Sequence, residues 1–192
     1  MATTDPGPPG EIRTFDYGDA VEIYDHPYHR VPFSERCWLS QNQNLNLISN
    51  VIICSSGMEA VAFNYFHPKP ANVLFLSMGI RPNNHHFRWI NENLQNKSFI
   101  LVFGNTPLDK ATELIVAAAI CQQPLTIRFS NELAIINFRR KAYRMSQDEL
   151  RLSSFSRLSG YRFNCKTASP KDHENYLAQW RQRSLSNQFP SP

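Results

Sequence analysis

The sequence predicts an α/β fold: a mostly parallel central sheet flanked by helices. Three apolar runs, at 51–54 (Val51-Ile52-Ile53-Cys54), 73–77 and 98–103, have the length and β-branched or aromatic content of buried strands. Each passes within a few residues into a segment with apolar residues at helical spacing, so strand and helix periods alternate as in βαβ units. A chain of 192 residues with 42% hydrophobic content is also long enough to bury one proper core.

In order, residues 1–10 are polar with three prolines and predict a disordered start. A β-rich appendage follows over 11–50. Ile12, Phe15, Tyr17, Val21, Ile23 and Tyr24 alternate loosely around the turn signal Gly18-Asp19, and Trp38-Leu39 carries a further extended piece. Gln41 to Asn50 predicts a loop or short helix. In the 51–130 core, strand 51–54 precedes a helix over about 57–66, stopped by His67-Pro68-Lys69-Pro70. Strand 73–77 leads to a helix marked by Phe87, Ile90 and Leu94, and strand 98–103 leads to a helix over about 108–121. Pro124 ends that helix, and Leu125 to Phe129 is expected to be a fourth parallel strand. A C-terminal extension covers 131–183. Leu133 to Phe138 and Ala142 to Met145 predict a hairpin with Arg139-Arg140-Lys141 as its exposed turn. Ser146 and Glu149 have capping-box spacing for a short helix reaching Gly160. Tyr161 to Phe163 predicts an extended piece, Ser169-Pro170 opens a last helix over Tyr176, Leu177 and Trp180, and 184–192 reads as a flexible tail.

No apolar run approaches the ~20 residues of a membrane span, and the start resembles neither a secretory signal nor a transit peptide. A cytoplasmic protein is expected, with its four scattered cysteines (Cys37, Cys54, Cys121, Cys165) as reduced thiols. His26, His29, His85 and His86 lack metal-ligand spacing and read as loop or surface histidines. The net charge of +4 is uneven: residues 1–130 hold nine Lys/Arg against eleven Asp/Glu, and residues 131–192 hold eleven against five. A basic final third points to an acidic partner such as nucleic acid.

The order of these pieces resembles the Toprim (topoisomerase–primase) family, most closely the compact Toprim-like proteins of bacterial mobile elements. The likeness runs over about 11–180. It rests on Glu11-Ile12-Arg13, Cys37-Trp38-Leu39-Ser40, the strand-to-helix run from Ser55 to Phe63, Ser77-Met78-Gly79, Gly104-Asn105-Thr106, and the stretch from Pro170 to Leu177. The resemblance implies a sheet with a Mg²⁺-binding carboxylate cluster at its strand ends and phosphodiester chemistry. A hard cation in phosphoryl chemistry needs anionic oxygen ligands. At the positions of the family's glutamate and two aspartates, however, stand Ser55, Gly104 and Thr106. None supplies a charge or a general base at neutral pH.

The first expectation is therefore a catalytically inactive Toprim-like protein without a metal cofactor, a nucleic-acid-associated accessory factor in DNA replication or mobile-element maintenance. Its expected partners are DNA or RNA and a replication or mobilisation protein, with no membrane. The nucleic-acid contacts are expected from Arg139, Arg140, Lys141, Arg144, Arg162 and Lys171, with Tyr143, Phe155, Tyr161 and Phe163 either stacking on bases or filling the core. The first alternative is a Mg²⁺-dependent nuclease or nucleotidyltransferase with rearranged carboxylates Glu59, Asp109 and Glu113. These three read equally as ordinary acidic residues near helix starts. The second alternative is a protein–protein adaptor.

Overall fold

A computed structural model describes residues 12–40, 44–70 and 72–188. The expected disordered start at 1–10 and the last four residues of the expected tail lie outside them. The strands are β1 (Arg13–Asp16), β2 (Val21–Asp25), β3 (Tyr28–Arg30), β4 (Trp38–Leu39), β5 (Asn50–Cys54), β6 (Val73–Ser77), β7 (Ser98–Val102), β8 (Leu125–Ser130), β9 (Leu133–Phe138), β10 (Lys141–Ser146) and β11 (Cys165–Thr167). The helices are α1 (Gly57–Phe66), α2 (Asn84–Asn93), α3 (Pro107–Ile120), α4 (Leu152–Ser159) and α5 (Tyr176–Gln188).

The central sheet has the order β11-β7-β5-β6-β4, with four parallel strands and β4 antiparallel at one edge. The chain moves from β5 outward to β6, then returns to the other side of β5 to form β7. That reversal makes the carboxyl ends of β5 and β7 the switch point of the sheet, where open α/β folds place their ligand crevice. Ser55 and Gly104 follow those two strand ends.

β5 shows why this sheet is central: Val51, Ile52, Ile53 and Cys54 are all fully buried. Val51 and Ile53 pack with α2, α3 and α4 on one face. Ile52 and Cys54 pack on the other face with α1, α5 and the β1–β2 hairpin. A strand apolar on both sides belongs between two helical layers.

The strand Leu125 to Phe129 does not extend the parallel sheet. As β8 it opens a separate antiparallel meander in the order β10-β9-β8, and β11 takes the place beside β7. Its own pattern explains this. Leu125 and Ile127 point inward while Thr126, Arg128 and Ser130 are exposed, an alternation suited to a sheet with one wet face. The hairpin with the basic turn forms as expected between β9 and β10. α4 begins at Leu152 rather than at the Ser146 capping box, because Ser146 is the last residue of β10. Tyr161 and Phe163 are not strand residues. They join Phe138 and Phe155 in an aromatic cluster, and the strand starts two residues later, at Cys165. The last helix begins at Tyr176 and continues through Gln188, past the expected start of the tail at Ser184.

Candidate functional site

A crevice of about 340 Å³ opens at the switch point, lined by Ser55, Glu59, Asp109 and Asn175 among others. Its acids are bound to the ends of helices. Every α-helix starts with backbone N–H groups that lack intrahelical acceptors and carry partial positive charge. Here two buried glutamates from elsewhere in the fold, Glu22 and Glu59, supply those acceptors.

Glu22, fully buried on β2, reaches the start of α1. Its Oε2 accepts from the Gly57 amide (2.7 Å) and the Tyr17 hydroxyl (2.9 Å). Its Oε1 accepts from the Met58 amide (2.9 Å) and meets His29 Nε2 at 2.9 Å. Tyr17 in turn lies 2.8 Å from Ser77 Oγ, which ties the cap to the end of β6. Burial first, and then the Glu22 charge, hold the Tyr17 phenol far above its ordinary pKa. Gly57 leaves no room for a side chain, since the ring of Phe15 covers it.

Glu59, buried on α1, does the same for α5: Oε1 accepts from the Tyr176 amide (2.7 Å) and Oε2 from the Leu177 amide (3.0 Å). Burial raises its pKa to about 7, against the two amides, which favour the charged form. Asp109 belongs to the capping box of α3. Its Oδ2 accepts from the Thr106 amide (3.1 Å) and hydroxyl (2.6 Å), while Thr106 Oγ1 accepts from the Asp109 amide (3.2 Å). Glu113 is buried on α3, with Oε2 3.6 Å from Lys110 Nζ. Burial raises its pKa, opposed by Lys110 and by the amide of Leu152 at the start of α4.

Of the three fallback carboxylates, Glu59 serves the start of α5 and Asp109 that of α3, while the buried Oε2 of Glu113 faces Lys110 and accepts no hydrogen bond. Among the described residues, no group of three or more His, Cys, Asp or Glu side chains is placed to hold a metal ion. Gly104 is closed to a carboxylate: a Cβ there would run into the Asp109 carboxylate and lie 2.8 Å from the Glu174 carbonyl. Ser55 is half-buried at the crevice, and Thr106 is occupied as a cap.

Two of the histidines are not surface groups. His29 engages Glu22, and His86 is fully buried at the start of α2, where Nδ1 accepts from the Asn83 amide (3.1 Å). All four cysteines are free thiols, and burial pushes those of Cys37 and Cys165 up to about 12.

The six cations expected to contact nucleic acid do not form one patch. Arg139, Arg140 and Lys141 are exposed at the β9–β10 turn, with Arg139 5.4 Å above the ring of Tyr161. Arg144 is exposed along β10. Arg162 precedes β11 and Lys171 follows it, so they lie toward opposite ends of the central sheet. The aromatics between these cations mainly build the core. Phe155 and Phe163 are buried, and Tyr143 and Tyr161 are half-buried against Phe155 and Phe138.

Sequence reasoning missed Glu22, although a signal was present. In β2 the buried residues are Glu22 and Tyr24, while Val21 is exposed, so the inward face of an alternating strand carries an acid. An inward acid demands donors, and the start of the next long helix supplies them. Among the described residues no helix is long and apolar enough to cross a membrane. Comparison with protein-family models, with curated proteins and with solved structures finds no match to this chain.

Proposed function

We propose that this chain is a Toprim-like protein that has lost phosphoryl chemistry and acts as a nucleic-acid-associated accessory factor, in a replication or mobile-element setting. The observation that carries the reading is the state of the switch point. Where the family resemblance implies acids stand Ser55, Gly104 and Thr106, and the nearby Glu22, Glu59 and Asp109 are bound into helix caps. Glu22, engaged by two amides, a hydroxyl and a histidine, has no acceptor site to spare for Mg²⁺. The mostly parallel sheet is the scaffold the resemblance implies, and the exposed Arg139, Arg140 and Lys141 support contact with phosphates.

One experiment tests both halves of the reading. Labelled DNA is incubated with the protein in EDTA and in Mg²⁺ or Mn²⁺, anisotropy is recorded, and the product is run on a denaturing gel. Binding of similar strength in both, with the DNA intact, is expected. Metal-dependent cleavage revives the rearranged-carboxylate alternative, and absence of binding at low salt removes the nucleic-acid reading. The adaptor reading has one observation in its favour. Ile80 and Leu108, 69% and 70% exposed, stand on the rim of the crevice as apolar contacts for another protein.

A further inference from the structure

The meander of β8, β9 and β10 turns one face to the core and leaves the other open. The inner rows contain Ile127, Ile136 and Tyr143, and Phe129, Ala134 and Met145, with the Phe129 ring 42% exposed at the β8 edge. The outer face consists of three rows set by the strand register. Thr126 lies beside Asn137 and Ala142, Arg128 beside Ile135 and Arg144, and Ser130 beside Leu133 and Ser146. Seven of these nine residues are exposed, Ile135 and Ser146 are half-exposed, and none is acidic.

Charge decides what this face can meet. Residues 125–146 carry five Lys/Arg against one Glu, a net +4, which equals the charge of the whole protein. The rest of the chain is neutral, with fifteen of each sign. That neutrality is a sum of −3 over residues 1–124 and +3 over 147–192, so the meander is the most positive stretch of a basic C-terminal third, and such a surface attracts a polyanion. Six of the nine outer residues are Arg, Asn, Ser or Thr, types that bond phosphate oxygens, and they surround the apolar Ala142, Ile135 and Leu133. The face carries no aromatic ring, so it offers no platform on which unpaired bases could stack. Arg128 and Arg144 occupy outer strands of one row, with Cα atoms roughly 9.5 Å apart, enough to reach separate phosphates.

From these observations we infer that the outer face of the β8–β9–β10 meander, with the Arg139-Arg140-Lys141 turn at its end, is the docking surface for duplex nucleic acid. It grips the phosphate backbone through Arg128 and Arg144 without reading base sequence. The inference rests on the nucleic-acid reading above. It moves the centre of the site to Arg128 and Arg144 and leaves Arg162 and Lys171 outside it.

The test is an anisotropy titration of a mixed-sequence duplex about two helical turns long, between about 50 and 200 mM salt. Wild type is compared with the Arg128→Gln/Arg144→Gln variant and with the Arg139→Gln/Arg140→Gln/Lys141→Gln variant. Engagement of all five cations gives a slope of log affinity against log salt of about −4.5, and loss of Arg128 and Arg144 leaves about −2.7. Matched single strands should bind more weakly, and polyglutamate should not compete. An unchanged slope in the Arg128/Arg144 variant, with a reduced one in the turn variant, overturns this inference and leaves the nucleic-acid reading standing. Equal or tighter binding of single strands overturns the duplex assignment, and competition by polyglutamate points instead to an acidic protein. No binding of any nucleic acid overturns both.

Discussion

At the switch point, Glu22 and Glu59 engage all four of their oxygens with amides, a hydroxyl and a histidine. On the outer face of the meander, Arg128 and Arg144 stand in solvent with no acid on their face. The contrast separates two uses of charge. A buried carboxylate without donors is costly, and for Glu22 and Glu59 helix starts supply them. An exposed arginine contributes little to stability and is free to meet a partner. The crevice is where an α/β enzyme keeps its chemistry, yet here its acids hold the fold together. The meander lies outside the parallel sheet and carries a net +4 over residues 125–146.

The largest test of the contrast is Glu22→Ala. It leaves the Gly57 and Met58 amides without their acceptor and the Tyr17 hydroxyl with Ser77 alone, and should lower stability by about 3–5 kcal/mol in urea unfolding. A loss within about 0.5 kcal/mol, typical of an ordinary surface site, would break the comparison by showing that the cap is dispensable. Next is Gly104→Asp, which places a carboxylate where the proposed Toprim likeness would put a metal ligand. The clash with Asp109 and Glu174 should cost about 1–3 kcal/mol, and Mg²⁺ should not raise the melting temperature of the variant. A Mg²⁺-dependent rise would show that the crevice can still assemble a cation site.

Glu59 gives a smaller, pH-dependent signal. Its pKa is about 7 when folded, against an ordinary 4.5. The folded protein therefore keeps this proton over a range where the unfolded chain has released it. Its contribution is fully present below about pH 4.5 and is lost as pH rises through about 7, so stability from this group falls across that window. Melting temperatures recorded from pH 4.5 to 8 should show this fall in wild type and a flatter profile in Glu59→Gln. Equal profiles would place the titration elsewhere.

The helices and strands of the parallel sheet were legible because each has one dominant period, and the Arg139-Arg140-Lys141 turn was legible because it parts two apolar runs. β8 departs from the expected parallel strand because its alternation outweighs its apolar length. Thr126, Arg128 and Ser130 already marked a strand with one solvated face. Ser55, Gly104 and Thr106 could be singled out from the order of motifs. The role of Glu59 could not, since its donors at Tyr176 and Leu177 lie more than a hundred residues away. No local pattern encodes such a pairing; it exists only once α1 and α5 pack.

The smallest predicted effect bears on the basic turn itself. Arg139 and Arg140 link β9 to β10 as a two-residue loop with φ of +48° and +63°. Positive φ at both positions marks a type I′ turn, which favours Asn-Gly, because a side chain in the left-handed region costs about 1–2 kcal/mol. Two arginines therefore sit where local preference disfavours them, and violations of this kind concentrate at functional sites. Arg140→Gly removes the strain while keeping the stack of Arg139 on Tyr161. The glycine also gives the unfolded chain more freedom, which takes back about 0.5–1 kcal/mol. The net expectation is a gain of about 0.5–1 kcal/mol in denaturant unfolding, with weaker binding to duplex DNA. Higher stability with undiminished binding would mean that Arg140 serves neither the fold nor the partner, leaving the rest of the basic face to hold the phosphates.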